Sequence, residues 1–153
     1  MEAVTHQFLH ELLVHARIGP LAIGLSADAV RELLGEPKAV QWSRKSRSLR
    51  KYGCVEIAYE PDRRASMILL PLWRIRNGES LPAPLQHHSD AIDVLAGWRL
   101  RSALQFLRDR NIPYARQPLL CMKGQQVTLR THDNVHVTFS GGIAAMIEKI
   151  SLS

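Results

Sequence analysis

Cysteine, aromatic residues and long apolar runs are all scarce in this 153-residue sequence. Its two cysteines, Cys54 and Cys121, stand far apart and form no CxxC motif. We therefore expect two buried thiols rather than a disulfide framework or a redox pair. The most apolar run, residues 67–72, is interrupted by Pro71 and falls far short of the roughly 18 residues that span a bilayer. The first residues lack a basic start and an apolar signal core, which predicts a cytoplasmic protein.

The sequence also lacks the short motifs by which many enzymes are identified. It has no G-x-S-x-G elbow, no G-x-x-x-x-G-K-[ST] phosphate loop and no G-x-G-x-x-G turn, so no nucleophile or phosphate site can be placed. His10 and His15 are separated by one residue more than two zinc ligands on one helix face require. His87 and His88, with two nearby aspartates, lie in or beside a stretch of loop composition. We expect no catalytic residues, no metal and no cofactor.

What the sequence does contain is an excess of positive charge. Twenty Lys and Arg residues stand against 14 Asp and Glu residues, a formal net charge of +6. The stretch 38–51 holds six of these cations and no acidic residue: Lys38, Arg44, Lys45, Arg47, Arg50 and Lys51. Such a segment attracts anions. It is either a solvated stretch that favours solubility or a docking patch, and the sequence leaves both interpretations open.

Hydrophobic periodicity predicts helices followed by strands, twice. Helical spacing covers residues 6–16 and 26–34, with Ser26 as the N-cap and Gly35 and Pro37 as the stop. Alternation then predicts strands over 49–52, 54–60 and 67–75. The second half repeats this plan, with a helix that begins at residue 100 and ends near residues 111–113, and strands around residues 127–129, 135–139 and 147–152.

The same order of elements in both halves predicts an internal duplication. A shift of 80 positions aligns Leu49 with Leu129 and Arg50 with Arg130, whereas the helices align at a shift of 74. We predict a first half over 1–76, a connecting loop over 77–90 and a second half over 91–153, within one unit. The predicted fold class is α+β, a tandem repeat of helices and antiparallel strands with the helices packed on one face of the sheet.

The segment 24–37, GLSADAVRELLGEP, resembles the G-x-S/T-x-x-x-V-x-x-L-L-G-x-P signature of the small outer-membrane lipoproteins of the barrel-assembly machinery. Their helix pair on an antiparallel sheet is similar to the unit used twice in the β-lactamase inhibitory proteins. The resemblance implies an α+β fold used for protein contact rather than catalysis. The second half departs from the signature, with residues 108–111 reading RDRN. The chain also lacks a lipid-anchor cysteine near its start and the paired cysteines of a secreted inhibitor, so neither activity is carried over.

Strand alternation predicts where a partner would bind. If Val55, Ile57 and Tyr59 face the helices and Leu49 and Leu129 also point inward, the opposite face of the sheet is lined by arginine. Arg74 and Arg76, at the end of the strand predicted over 67–75 and just after it, would share one face. The predicted partner-binding residues are Trp42, Arg50, Tyr52, Arg74, Arg76, Arg130 and His136.

The leading hypothesis is a non-enzymatic interaction module, such as an inhibitor or immunity-type antitoxin, that binds an acidic protein partner through this face. The alternative is a nucleic-acid-binding protein that uses the basic segment 38–51, with Tyr52 stacking on bases. A small-ligand enzyme is a third possibility. A fourth interpretation is a solvated face whose arginines only pair with Glu56 and Glu60.

Overall fold

The computed structural model describes residues 3–117, 126–141 and 145–153. The strands among them are β1 (Ala39–Trp42), β2 (Ser48–Tyr52), β3 (Val55–Tyr59), β4 (Ala65–Leu70), β5 (Ala115–Arg116), β6 (Gln126–His132), β7 (Val135–Ser140) and β8 (Met146–Leu152). They form one antiparallel sheet in the order β1-β2-β3-β4-β8-β7-β6-β5. Because β4 pairs with β8, the strands of the two halves meet at the centre of the sheet.

The helices pack against the sheet and share one hydrophobic core with it. They are α1 (Ala3–His15), α2 (Ala27–Leu34), α3 (Leu72–Arg76), α4 (Ser89–Ala96) and α5 (Leu100–Asp109), with short 3₁₀ helices over Arg44–Ser46 and Ala83–His88. The predicted α+β class is confirmed.

Local signals account for α2. The Ser26 hydroxyl accepts a hydrogen bond from the Ala29 N–H at 3.1 Å, which satisfies one of the free donors at the helix start. Gly35 has a φ of +82° and donates its N–H to the Arg31 carbonyl, a backbone conformation that favours glycine. The predicted cap and stop are both confirmed.

Within the described residues, the order of α-helices and strands is the same in the two halves: two α-helices and then four strands, with α3 between them. In each half, backbone hydrogen bonds join the start of the second helix to the start of the last strand. The bonds run from Ala27 N–H to Arg63 C=O and from Ala65 N–H to Leu25 C=O in the first half, and from Leu100 N–H to Ala145 C=O and from Ile147 N–H to Trp98 C=O in the second. This match supports the duplication, which stays a prediction together with its boundaries.

Contacts outside the sheet also join the halves. The Thr131 hydroxyl on β6 donates to the Leu13 carbonyl of α1 at 2.8 Å. The Arg76 guanidinium donates to the Ala96 carbonyl at 2.8 Å and to the Ile147 carbonyl at 2.6 Å. The first helix therefore packs on a strand of the second half, and α3 bridges α4 and β8.

Two predicted elements are wrong in their extent. The strand predicted over 67–75 ends at Leu70, because Pro71 has no N–H to donate to a neighbouring strand, and α3 follows. The stretch predicted as a loop over 77–90 contains the 3₁₀ helix Ala83–His88 and the first two residues of α4. Proline is tolerated in the first turn of a helix, so the prolines of this stretch do not exclude helical structure.

Candidate functional site

The two faces of the sheet differ in exposure. The face toward the helices carries residues that are at most 2% exposed: Val55, Ile57, Tyr59, Val135, Val137 and Phe139. Residues directly opposite each other in antiparallel strands share a face, so the strand pairs define the other side. We call it the open face, with the residues Leu49, Lys51, Glu56, Ala58, Met67, Leu69, Thr128, Arg130, His136, Thr138, Lys149 and Ser151. Ten of them are partly exposed, whereas Thr128 and Thr138 are only 1% and 4% exposed.

The open face is continuous across both halves. One row of directly paired residues runs from β2 to β6, through Lys51, Glu56, Leu69, Ser151, His136 and Arg130. All six are partly exposed. The seam between β4 and β8 therefore does not interrupt this surface.

An apolar strip lies on the open face of the first half. Leu49, Ala58 and Met67 are directly paired across β2, β3 and β4, and Leu69 follows on the same side of β4. All four are partly exposed. Neighbouring apolar side chains bordered by polar residues are the arrangement found at the centre of many protein interfaces.

The charges around the strip are mainly positive. Arg74 from α3 donates to Glu56 at 3.1 Å, and Lys51 lies 3.9 Å from Glu79, so two cations on this face have an acidic partner. Lys149 forms no ion pair with a described residue. Arg130 lies 3.8 Å from Asp133, whose side chain is 92% exposed, and such exposed pairs contribute only about 0–1 kcal/mol.

Three of the predicted site residues reach the open face. Arg130 and His136 lie side by side there, as predicted. Arg74 contacts this face by donating a hydrogen bond to Glu56, although it lies on a helix rather than a strand. Glu56 therefore does pair with an arginine. Glu60 does so too, since Arg47 donates to it at 2.7 Å.

The prediction that Arg50 shares this face is wrong. Arg50 lies opposite Ile57 and therefore points to the helix side, while Leu49 lies opposite Ala58 on the open face. The regular register of β2 against β3 determines the position of Arg50. The second half differs, because β6 has a β-bulge where the pairing shifts between Arg130 and His132. One extra residue reverses the side on which the preceding residues point. Arg50 and Arg130 therefore point to opposite sides despite their sequence alignment.

Trp42, Tyr52 and Arg76 also lie elsewhere. Tyr52 is only 2% exposed and its hydroxyl lies 3.1 Å from that of Tyr59 in the core, so its predicted place at the sheet margin is wrong. Trp42, 60% exposed, lies opposite Ser48 on the helix side of the edge strand β1. The Arg76 guanidinium donates to the Ala96 and Ile147 carbonyls. Arg74 instead donates to Glu56, so the two arginines do not share a face.

Sequence reasoning missed the apolar strip and two of the cations of the open face, Lys51 and Lys149. Residues 65–70 are nearly all apolar, so alternation could not separate Met67 and Leu69 from the buried Ile68 and Leu70. The charge pattern marked Lys51 only as part of the basic stretch.

We expect His136 to make the stability of the protein depend on pH. Burial lowers the pKa of its imidazole, and the positive charge of Arg130 lowers that pKa further. The unfolded chain takes up a proton near pH 6.5, so folded stability is complete above that pH and falls as the pH drops toward the folded pKa. We expect His136→Gln to reduce the loss of unfolding free energy between pH 7.5 and 5.5 in urea denaturation.

Arg130→Gln is the companion variant, because it removes one cause of the lowered pKa while keeping the imidazole. It should reduce the same pH slope by a smaller amount than His136→Gln does. His88, whose pKa is lowered by burial and by His87, leaves part of the slope in both variants. Identical slopes in all three proteins would contradict this account.

The remaining reactive groups are placed as follows. Cys54 is a buried free thiol, as predicted, and burial raises its pKa, which disfavours the reactive thiolate. Cys121 lies outside the described residues. Within the described parts of the chain, no group of three or more His, Cys, Asp or Glu side chains could hold a metal. The rings of His87 and His88 lie 3.9 Å apart.

None of the helices described here combines the length and the apolar character needed to cross a bilayer.

Comparisons with protein-family models, curated proteins and solved structures find no match to this chain. The resemblance to the barrel-assembly lipoproteins and the β-lactamase inhibitory proteins therefore stays a prediction.

Proposed function

We propose that the protein is a non-enzymatic interaction module that binds an acidic protein partner through the open face, as an inhibitor or immunity-type antitoxin would. The observation that carries this proposal is the apolar strip of Leu49, Ala58, Met67 and Leu69, which lies on the same face as the cations Lys51, Arg130 and Lys149. An apolar centre with a polar rim is the usual anatomy of a protein interface.

The two parts of this surface have different roles. Burial of the strip supplies affinity, at about 25 cal/mol per Å² of apolar surface removed from water before the costs of association. The cations supply orientation and speed of association, since rim charges act mainly on the rate and on partner choice. A partner with carboxylates around an apolar patch would satisfy both.

The nucleic-acid alternative has less support. None of the strand residues that define the open face is Phe, Tyr or Trp, although base stacking contributes about 1–3 kcal/mol per base in single-strand binders. The basic segment 38–51 is not a free loop, because it forms β1, a 3₁₀ helix and β2. Arg47 within it is held by Glu60, and Tyr52 is buried.

The test is capture from a lysate of the cells that make the protein, with wild type and the double variant Arg130→Glu/Lys149→Glu as bait. We expect wild type to retain an acidic protein at stoichiometric yield. The open-face variant should retain it at least tenfold less, about 1.4 kcal/mol or more, because repulsion replaces attraction. The affinity of the purified partner for both proteins then gives the ratio directly.

The matched control is Arg101→Glu/Arg108→Glu on α5, which makes the same charge change on exposed residues of the helix layer. A glutamate is favourable in the first turn of a helix and unfavourable in the last, so the two changes offset each other in stability. Equal loss of capture in both double variants, or no stoichiometric protein at all, would contradict the proposal. Capture that disappears with nuclease would favour the nucleic-acid alternative.

A further inference from the structure

A second cluster of side chains lies at the β1 edge, on the side of the sheet opposite the open face. Arg50 lies between two aromatic rings, with its guanidinium carbon 5.0 Å from the centre of the Tyr59 ring and 5.9 Å from the centre of the Trp42 ring. Both distances are within the range of cation–π contact. The two rings therefore fix the position of the guanidinium.

Among the residues that the structure describes, the guanidinium of Arg50 has no acceptor. Its Nε is buried without a hydrogen-bond partner, and within the described residues the side chain forms no ion pair. Glu60 is close by, but Arg47 holds it at 2.7 Å. A buried N–H donor without an acceptor is energetically costly, so this position is suited to an anion from outside the chain.

A cavity of about 260 Å³ opens beside this arginine. Arg63 lines it together with Arg50, and the hydroxyl-bearing residues Ser46 and Ser48 also border it. The Glu60 carboxylate lines it as well, with its negative charge paired to Arg47. Arg63 is exposed and likewise forms no ion pair with a described residue. The volume is below the roughly 300–1,000 Å³ of sites for drug-sized ligands, so the cavity suits one small anionic group.

We infer that this cavity binds a single oxyanion group, a phosphate or a carboxylate, between Arg50 and Arg63. A planar guanidinium matches the two oxygens of such a group with parallel hydrogen bonds. Because the rings of Trp42 and Tyr59 already hold Arg50 in place, little side-chain freedom is lost on binding. The site is separate from the open face, and either can exist without the other.

The test titrates inorganic phosphate and acetate separately into the full chain at constant ionic strength, and follows the indole N–H resonance of Trp42. We expect a saturable shift with at least one of the two anions. The anion with the higher affinity identifies the group: phosphate points to a phosphorylated ligand, and acetate to a carboxylate. Arg50→Gln should weaken binding by about tenfold or more.

Two further variants make the result decisive. Arg63→Gln changes an exposed residue, so it keeps the fold in case Arg50→Gln does not, and it should weaken binding about threefold or more. Arg44→Gln removes an exposed arginine that does not line the cavity, and it should bind like wild type. The inference is overturned if neither anion saturates, if Arg50→Gln and Arg63→Gln both bind like wild type, or if Arg44→Gln weakens binding as much as they do.

Discussion

Replacing Gly53 by alanine is expected to destabilise the protein by about 2 to 5 kcal/mol, the sum of backbone strain and a forced contact. Gly53 forms the turn between β2 and β3 with a φ of +58°. A Cβ there would lie 2.7 Å from the Pro82 nitrogen and 2.8 Å from the Ser80 oxygen. Both are backbone atoms, and the Cys54 N–H holds the same Ser80 carbonyl at 3.0 Å, so the segment cannot move away without losing that bond.

Gly78→Ala is the matched control for this prediction. Gly78 also has a positive φ, +91°, but a Cβ there would meet nothing within 4 Å. It should lose only about 1 to 2 kcal/mol, the cost of the left-handed conformation. Urea denaturation of both variants separates the two contributions, because the difference between them measures the close approach at Gly53. Equal losses would show that the contact with Ser80 and Pro82 costs nothing.

The parts of the fold that could be predicted from the sequence are those set by neighbouring residues. Ser26 and Gly35 delimit α2 through hydrogen bonds that span three or four residues, so their pattern is visible in the sequence. The alternation in β3 is equally local. The pairing of β4 with β8 could not be predicted this way, because it depends on contacts between residues far apart in the chain.

The candidate site was predicted less well, because it depends on register. The bulge in β6 adds one residue at Thr131, and no composition or spacing signal marks it. Because of that residue, Arg130 faces the open side. Arg50, which occupies the aligned position in the first half, faces the helix side. Arg50 lies beside the rings of Trp42 and Tyr59, where the oxyanion cavity lies, because the register of β2 against β3 has no such bulge.

The continuity of the open face depends on the central strand β8, and Ile150 tests that strand. Ile150 is fully buried and lies between Leu70 of β4 and Val137 of β7. Ile150→Ala should therefore cost about 2 to 5 kcal/mol. Since one core spans both halves, we expect a single unfolding transition in urea and faster amide hydrogen exchange in β3 as well as in β7.

The neighbouring residue on the same strand provides the control. Ser151 points to the open face opposite Leu69 and His136, so Ser151→Ala should change the free energy of unfolding by no more than about 0.5 kcal/mol. If Ile150→Ala accelerated exchange in β7 alone and left β3 unchanged, the two halves would unfold separately. The open face would then be two adjoining surfaces, and a partner that spans it would have to hold them together.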